Sequence, residues 1–205
     1  MKRSPRGKFI CVVGMMLAAM GASYAQSQAA KSSALSAKTA AKPLLLEKNE
    51  GELRIRRARP DNSVIASPQL MLKVSPKNNG SQHLVLGTED IPPGGSIPKH
   101  KHLEQDEILL IETGVAHVWL GDQERDAHAG ALVFIPANTW IALKNTGSEA
   151  VSLVFIFSAP GFEDYMRCTS VPANEKPGLI SAQERRTCAH HAHAMFKDLQ
   201  EAEKK

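Results

Sequence analysis

Between His83 and Ser158 the chain alternates short apolar or β-branched runs with tight turn formers, and this rhythm constrains the fold more than any other feature. The runs are Leu109–Ile111, Ala116–Leu120, Leu132–Ile135, Ile141–Leu143 and Val151–Phe157. Gly114, Gly121-Asp122, Ala129-Gly130, Pro136-Ala137-Asn138 and Asn145-Thr146-Gly147 cut between them. Glycine, proline and asparagine do this because they supply or preset the backbone angles that turns require. Many short, evenly spaced strands predict an antiparallel sandwich or barrel. Further strand-like pieces precede them, at 53–57, 64–66, 70–74 and 83–86. Pro60-Asp61-Asn62, Ser75-Pro76 and Asn78-Asn79-Gly80 separate these pieces. Arg54, Arg56, Arg57 and Arg59 read as a solvated sheet edge, with a docking patch as the alternative.

Both ends of the chain read differently. Lys2, Arg3, Arg6 and Lys8 lead into an apolar run from Phe9 to about Ala22, and Ser23-Tyr24-Ala25 supplies small residues before a cut after Ala25. This is the layout of a secretory signal peptide, and the run is short for a membrane span. The expectation is therefore an exported protein, periplasmic or secreted, with no span left after cleavage. The full chain has 25 Lys and Arg against 21 Asp and Glu, a formal charge of +4. The leader holds four of the basic residues and none of the acidic ones, so removing it leaves 21 of each and a net charge of zero. That balance argues against a nucleic-acid partner. Residues 26–43, rich in Ala, Ser, Lys and Gln, read as a disordered tether. A β-domain is expected over 44–160 and a helical extension over 161–205.

In that extension Phe162–Arg167 predicts a short helix. Ser181 and Glu184 form a capping box opening a helix that should run to about Leu199, carrying Cys188, Ala192, Met195 and Leu199 along one stripe. Cys11 leaves with the leader. Cys168 and Cys188 remain as a pair in an oxidising setting, and a disulfide between them is expected. The tail is expected to pack on the outside of the β-domain.

The chemistry concentrates at His100-Lys101-His102 and Glu107. Residues two apart on a strand share a face, so both imidazoles point one way. A loop at 103–106 folds the strand beginning at Glu107 back beside them. Two imidazoles and a carboxylate then converge, which outlines a metal site. Packing alone explains this poorly, because burying such groups unpaired is expensive.

Gly94, then His100 and His102, then Glu107 and Gly114 stand at the spacing of the first cupin motif. Gly130 and Pro136 match the start of the second motif, and Asn145 its end. The chain thus resembles a small single-domain cupin over about residues 80–158. The resemblance implies a mainly β, antiparallel jelly-roll barrel, here with a C-terminal helical tail, and pairing of copies through sheet edges. It departs in the second motif, where Asn138 replaces a glycine and Ile141 the expected metal-binding histidine. Asn tolerates the left-handed turn conformation; Ile141 removes a ligand.

Three protein ligands then remain for a divalent transition metal, Fe, Mn, Zn or Ni: His100, His102 and Glu107. His83 is the least poor substitute for the fourth; His117 and His128 face outward, and His190, His191 and His193 lie on an exposed helix face. Ile141, Trp140, Leu109 and Ile111 are expected to line an apolar pocket for a small-molecule ligand. The leading readings are a metal-dependent enzyme, such as a dioxygenase on an aromatic or flavonoid-like compound with Glu107 as ligand or base, and a non-catalytic binding module, with or without metal. A structural envelope module working through the tail helices is the third. No Ser-His-Asp order, phosphate-cradling glycine loop or closely spaced redox cysteine pair is present.

Overall fold

The computed structural model describes residues 40–60 and 68–202. The expected signal peptide, most of the expected tether and the expected strand at 64–66 lie outside the described residues. From residue 41 onward the chain forms one compact unit. The elements, in order, are β1 (Glu52–Arg56), β2 (Gln69–Val74), α1 (Pro76–Asn79), β3 (Val85–Ile91), β4 (Ser96–His102), β5 (Glu107–Thr113), β6 (Val115–Leu120) and β7 (Gln123–His128). They continue with β8 (Leu132–Ile135), β9 (Ile141–Asn145), β10 (Val151–Phe157), α2 (Phe162–Cys168), β11 (Ser170–Pro172), α3 (Ala182–His191), β12 (Ala194–Phe196) and α4 (Lys197–Ala202).

Two sheets face each other. The larger runs β11-β1-β2-β3-β10-β5-β8 and the smaller β12-β4-β9-β6-β7. Every strand pairing in them is antiparallel. The expected jelly-roll barrel with helices at its C-terminal end is what these residues form. Period-two alternation builds the core: on β10, Val151, Leu153, Phe155 and Phe157 are buried while the residues between them are partly exposed. Leu109 and Ile111 stand beside them on β5 of the same sheet, and Ile141 and Leu143 on β9 of the other sheet join the same core. Gly87 sits opposite Phe155 in the β3–β10 register. A Cβ at Gly87 would lie 2.3 Å from both the Phe155 ring and the Met71 carbonyl, so only glycine admits that ring.

Three expectations need correction. First, the arginines of β1 do not decorate a solvated edge, because β1 is flanked by β11 and β2. Arg54 is buried and donates from Nε to Ser170 Oγ at 2.8 Å and from a terminal nitrogen to the Ser170 carbonyl at 2.8 Å. Second, the helix opened by the capping box, whose two reciprocal hydrogen bonds are both present, stops at His191. His193 takes φ 50°, a left-handed turn, after which β12 pairs with β4: Ala194 with His102, Met195 with Lys101 and Phe196 with His100. Strand pairing with an open sheet edge outweighs propensity here, since the sequence offers no proline or glycine to stop the helix. Third, the tail does more than pack outside. It adds β11 to one sheet and β12 to the other, and it covers one mouth of the barrel. Leu44, Leu45 and Leu46, read as the start of the folded part, are exposed.

Candidate metal centre

The three donors come from strands of different sheets. β5 does not lie paired beside β4 as expected but pairs with β10 and β8, while β4 pairs with β9 and β12. The loop between them carries the chain from one sheet to the other. On β4, His100 and His102 are buried and Lys99 is exposed, as alternation requires. The β4–β9 register shifts between Ile97 and His100, and Pro98 sits in that irregularity, where a residue without an N–H does least harm. The Pro98 carbonyl lies 2.8 Å from His100 Nδ1. A carbonyl only accepts, so Nδ1 carries the proton and Nε2 keeps its lone pair, the arrangement that readies a histidine to ligate. The loop after β4 returns the chain so that Glu107, first residue of β5, is buried beside His102. Asn138 takes φ 64° in the turn before β9, and its backbone N–H donates to the His102 carbonyl at 2.6 Å. Asparagine thus fills the turn position where the family pattern has glycine.

One donor atom from each of His100, His102 and Glu107 lies within 4.8 Å of the others. His102 Nε2 and Glu107 Oε2 are 3.2 Å apart. Two ligands held by one transition metal at bond lengths near 2.1 Å stand about 3.0–3.4 Å from each other, so this pair is already spaced for a shared cation. Burial pushes the His102 imidazole down to about 3. Burial, then the charge of His102, takes His100 down to about 4. Both rings are therefore neutral near pH 7, as ligation demands. Burial raises the Glu107 carboxyl to about 7, against a downward pull from His100. The His102–Glu107 contact has the geometry of an ion pair, yet the imidazole is neutral, so the two share a hydrogen bond rather than opposite charges. His102 Nδ1 is buried with no hydrogen-bond partner, a costly state for a polar atom in a dry site. The donor set and its spacing fit a divalent cation.

The fourth position of the family pattern is apolar. Ile141 is the Cα partner of His100 across β4 and β9 and is 1 % exposed. Aromatic rings from the C-terminal extension close over the histidines. The Phe162 ring lies 4.1 Å from that of His102, edge to face, and the Phe196 ring stacks on His100 at 5.2 Å. A cavity of about 80 Å³ adjoins the triad, lined by His100, Glu107, Leu109 and Ile141 among others. Ile111 is buried in the core away from that lining, and Trp140 lies under the Lys101 ammonium at 5.1 Å. His83 and His128 are exposed. His117 pairs with Asp126 at 2.8 Å, and His193 with Glu104 at 2.7 Å, both at the surface. None of them supplies a fourth ligand.

Cys168 and Cys188 are bridged, tying α2 to α3. Sequence reasoning missed Phe162, Phe196 and Tyr165 as covers of the site, and it noticed Arg56 and Arg59 without placing them at the cavity. The run of arginines was the visible signal, but its destination depends on β11 covering the edge of β1.

A two-sheet antiparallel barrel holding a buried two-histidine, one-carboxylate group at its mouth defines a class of small β-barrel metal-site proteins. Residues 87–157 match the model of the cupin domain family, and the barrel of this chain is a cupin domain. No curated protein matches the chain. Similar solved structures include a sugar phosphate isomerase from a cupin superfamily of Silicibacter pomeroyi, at 17% identity and TM-score 0.49, covering 58% of this chain and 77% of that one. A predicted oxalate decarboxylase from Thermotoga maritima is similar at 18% identity and TM-score 0.47, covering 57% and 100%. The Schizosaccharomyces pombe Cnp3 cupin domain is similar at 17% and 0.41, covering 48% and 69%. The matched family segment spans β3 to β10 and the triad; the covering rings and the β1 arginines lie outside it.

Proposed function

We propose that the chain is an exported, metal-dependent cupin in which His100, His102 and Glu107 hold one divalent transition metal (Fe, Mn, Zn or Ni) and a small organic molecule occupies the adjoining cavity. The observation that carries this reading is the 3.2 Å approach of two buried donors, His102 and Glu107, beside a third whose tautomer is already set by Pro98. A metal bound there would polarise a ligand or activate one at an open coordination position. The chain's residues would orient that ligand and exclude water, with Phe162 and Phe196 over the histidines. Glu107 would be the catalytic residue, as ligand or as base once off the metal. The cavity's size favours a compact substrate over a flavonoid-like one. The leader's layout and the Cys168–Cys188 bridge support export. Among the described residues no helix is long and apolar enough to cross a membrane.

Elemental analysis of protein recovered from the periplasm or medium tests the core of this reading. The expected result is about one transition metal per chain, lost in His100→Ala, on protein whose first residue is Gln26. Metal-free wild-type protein would overturn it. It would favour a second reading, a metal-free binding module, for which Ile141 at the fourth ligand position is the supporting observation.

A further inference from the structure

The cavity beside the triad is not uniformly apolar. Among the described residues, Arg56, Arg57, Arg59 and Arg185 all line it, beside two carboxylates, Glu89 and Glu107. Glu107 is engaged with His102, and Glu89 accepts from Arg56 at 2.8 Å. The other acidic partners, Glu184 to Arg57 and Asp198 to Arg59 and Arg185, have side chains 50% and 41% exposed and do not line the cavity. The cavity wall thus carries surplus positive charge, and a cation on the triad would add to it. Arg56 Nε is buried without a hydrogen-bond partner, which leaves a donor of a planar fork unused in a dry setting. Ile141, Leu143, Leu153 and Phe155 belong to its apolar lining.

We propose that this cavity binds a compact organic carboxylate, its head group on Arg56 with Arg59 and Arg185 behind it, and its apolar body against Ile141, Leu143 and Phe155. Guanidinium donors in a fixed fork match a planar carboxylate better than any other common head group. Size follows from volume: a water needs about 10–15 Å³ by this measure, so the cavity holds a ligand of roughly five to eight heavy atoms. The inference names the substrate class for the site read above as metal-binding and rests on that reading for the ligand's place beside the metal. The arginine end needs no ion.

The test is calorimetric titration of the purified full chain, its metal content measured first, with pentanoate, pentan-1-ol and pentylamine, three ligands of similar size and different charge. Pentanoate is expected to saturate at one per chain, with the alcohol and the amine at least about tenfold weaker. Arg56→Gln and Arg59→Gln are each expected to weaken pentanoate about tenfold, with folding checked by circular dichroism. Arg56→Lys, which keeps the charge but loses the fork, should fall between wild type and Arg56→Gln and covers the case of a misfolded Arg56→Gln. Equal binding of pentanol and pentanoate, or unchanged pentanoate affinity in both glutamine variants, would overturn the proposal. Protein that carries its metal but ignores pentanoate sinks this inference and leaves the metal reading intact. Metal-free protein that binds pentanoate through Arg56 does the reverse.

Discussion

Ile141 is the residue on which the chemistry of this barrel turns, because it stands beside His100 on the neighbouring strand with its side chain fully enclosed. An imidazole in its place would complete a four-ligand set. Ile141→His is expected to raise metal affinity about tenfold or more, where tenfold corresponds to about 1.4 kcal/mol. Without metal the same change buries a polar ring in an apolar wall and should cost about 1–3 kcal/mol. Thermal unfolding with and without added metal reads both effects; a variant equally stable and no tighter for metal would show that position 141 does not face the triad. Glu52 carries a second prediction at this scale. Burial raises its carboxyl, but hydrogen bonds and charge from Arg167, and then from Arg54, outweigh that and hold it below the ordinary 4.5. Arg167 donates to it at 2.8 Å and Arg54 at 3.0 Å. A depressed carboxyl contributes stability that is complete above the unfolded value and fades as pH falls through the folded one. Glu52→Gln should therefore cost about 1–2 kcal/mol at pH 7, and the gap to wild type should close below about pH 4. A gap that stays constant down to pH 3 would contradict the assignment.

At the scale of elements, the C-terminal extension is what turns an open barrel into a closed site. α2 brings Phe162 over the histidines, β12 brings Phe196, and Tyr165 of α2 backs both, its ring stacking on Phe162 at 5.2 Å and on Phe196 at 4.6 Å. The position of α2 depends on a tight entry: a Cβ at Gly161, whose φ is 140°, would lie 2.5 Å from the Gln105 side-chain nitrogen. The bridge between Cys168 and Cys188 spans a sequence separation of 20 residues. Closing a loop of that length is worth about 3 kcal/mol in the chain-entropy model. Cys188→Ser is expected to lower stability by about that amount in chemical denaturation. It should also raise hydrogen exchange in α2 and α3 while β3 to β10 stay protected. Uniform loss of protection over the whole barrel would show instead that the extension and the barrel unfold as one unit.

At the scale of the whole molecule, the two sheets differ in what they leave uncovered. Leu110, Leu132 and Phe134 are exposed on β5 and β8, at the open edge of the larger sheet, and Leu110 pairs directly with Leu132. The larger sheet gains β11 and the smaller gains β12 from the same tail, so one segment of 45 residues serves both halves of the barrel and its mouth. Four arginines line the cavity, while Glu184 and Asp198, which pair with three of them, lie towards the surface.

Most of the barrel strands, the turns and the three donors were legible in the residues themselves, because period-two alternation and turn chemistry act over a few positions; the polar run of β7, Gln123–His128, gave no such signal. His100 and His102 share a face by alternation alone, and a short loop is enough to return Glu107 to them. Asn138 could be placed in a left-handed turn on its own chemistry, and the cysteine pair followed from there being only two left. Other features were settled by contacts distant in sequence. Whether β1 is an edge depends on β11, more than a hundred residues later, and so does whether its arginines meet water or a cavity. The end of α3 depends on the vacant edge of β4, since nothing in the local sequence breaks the helix. The local code therefore determined the barrel and its donors, while packing between remote segments decided how the site is closed and which charges face it.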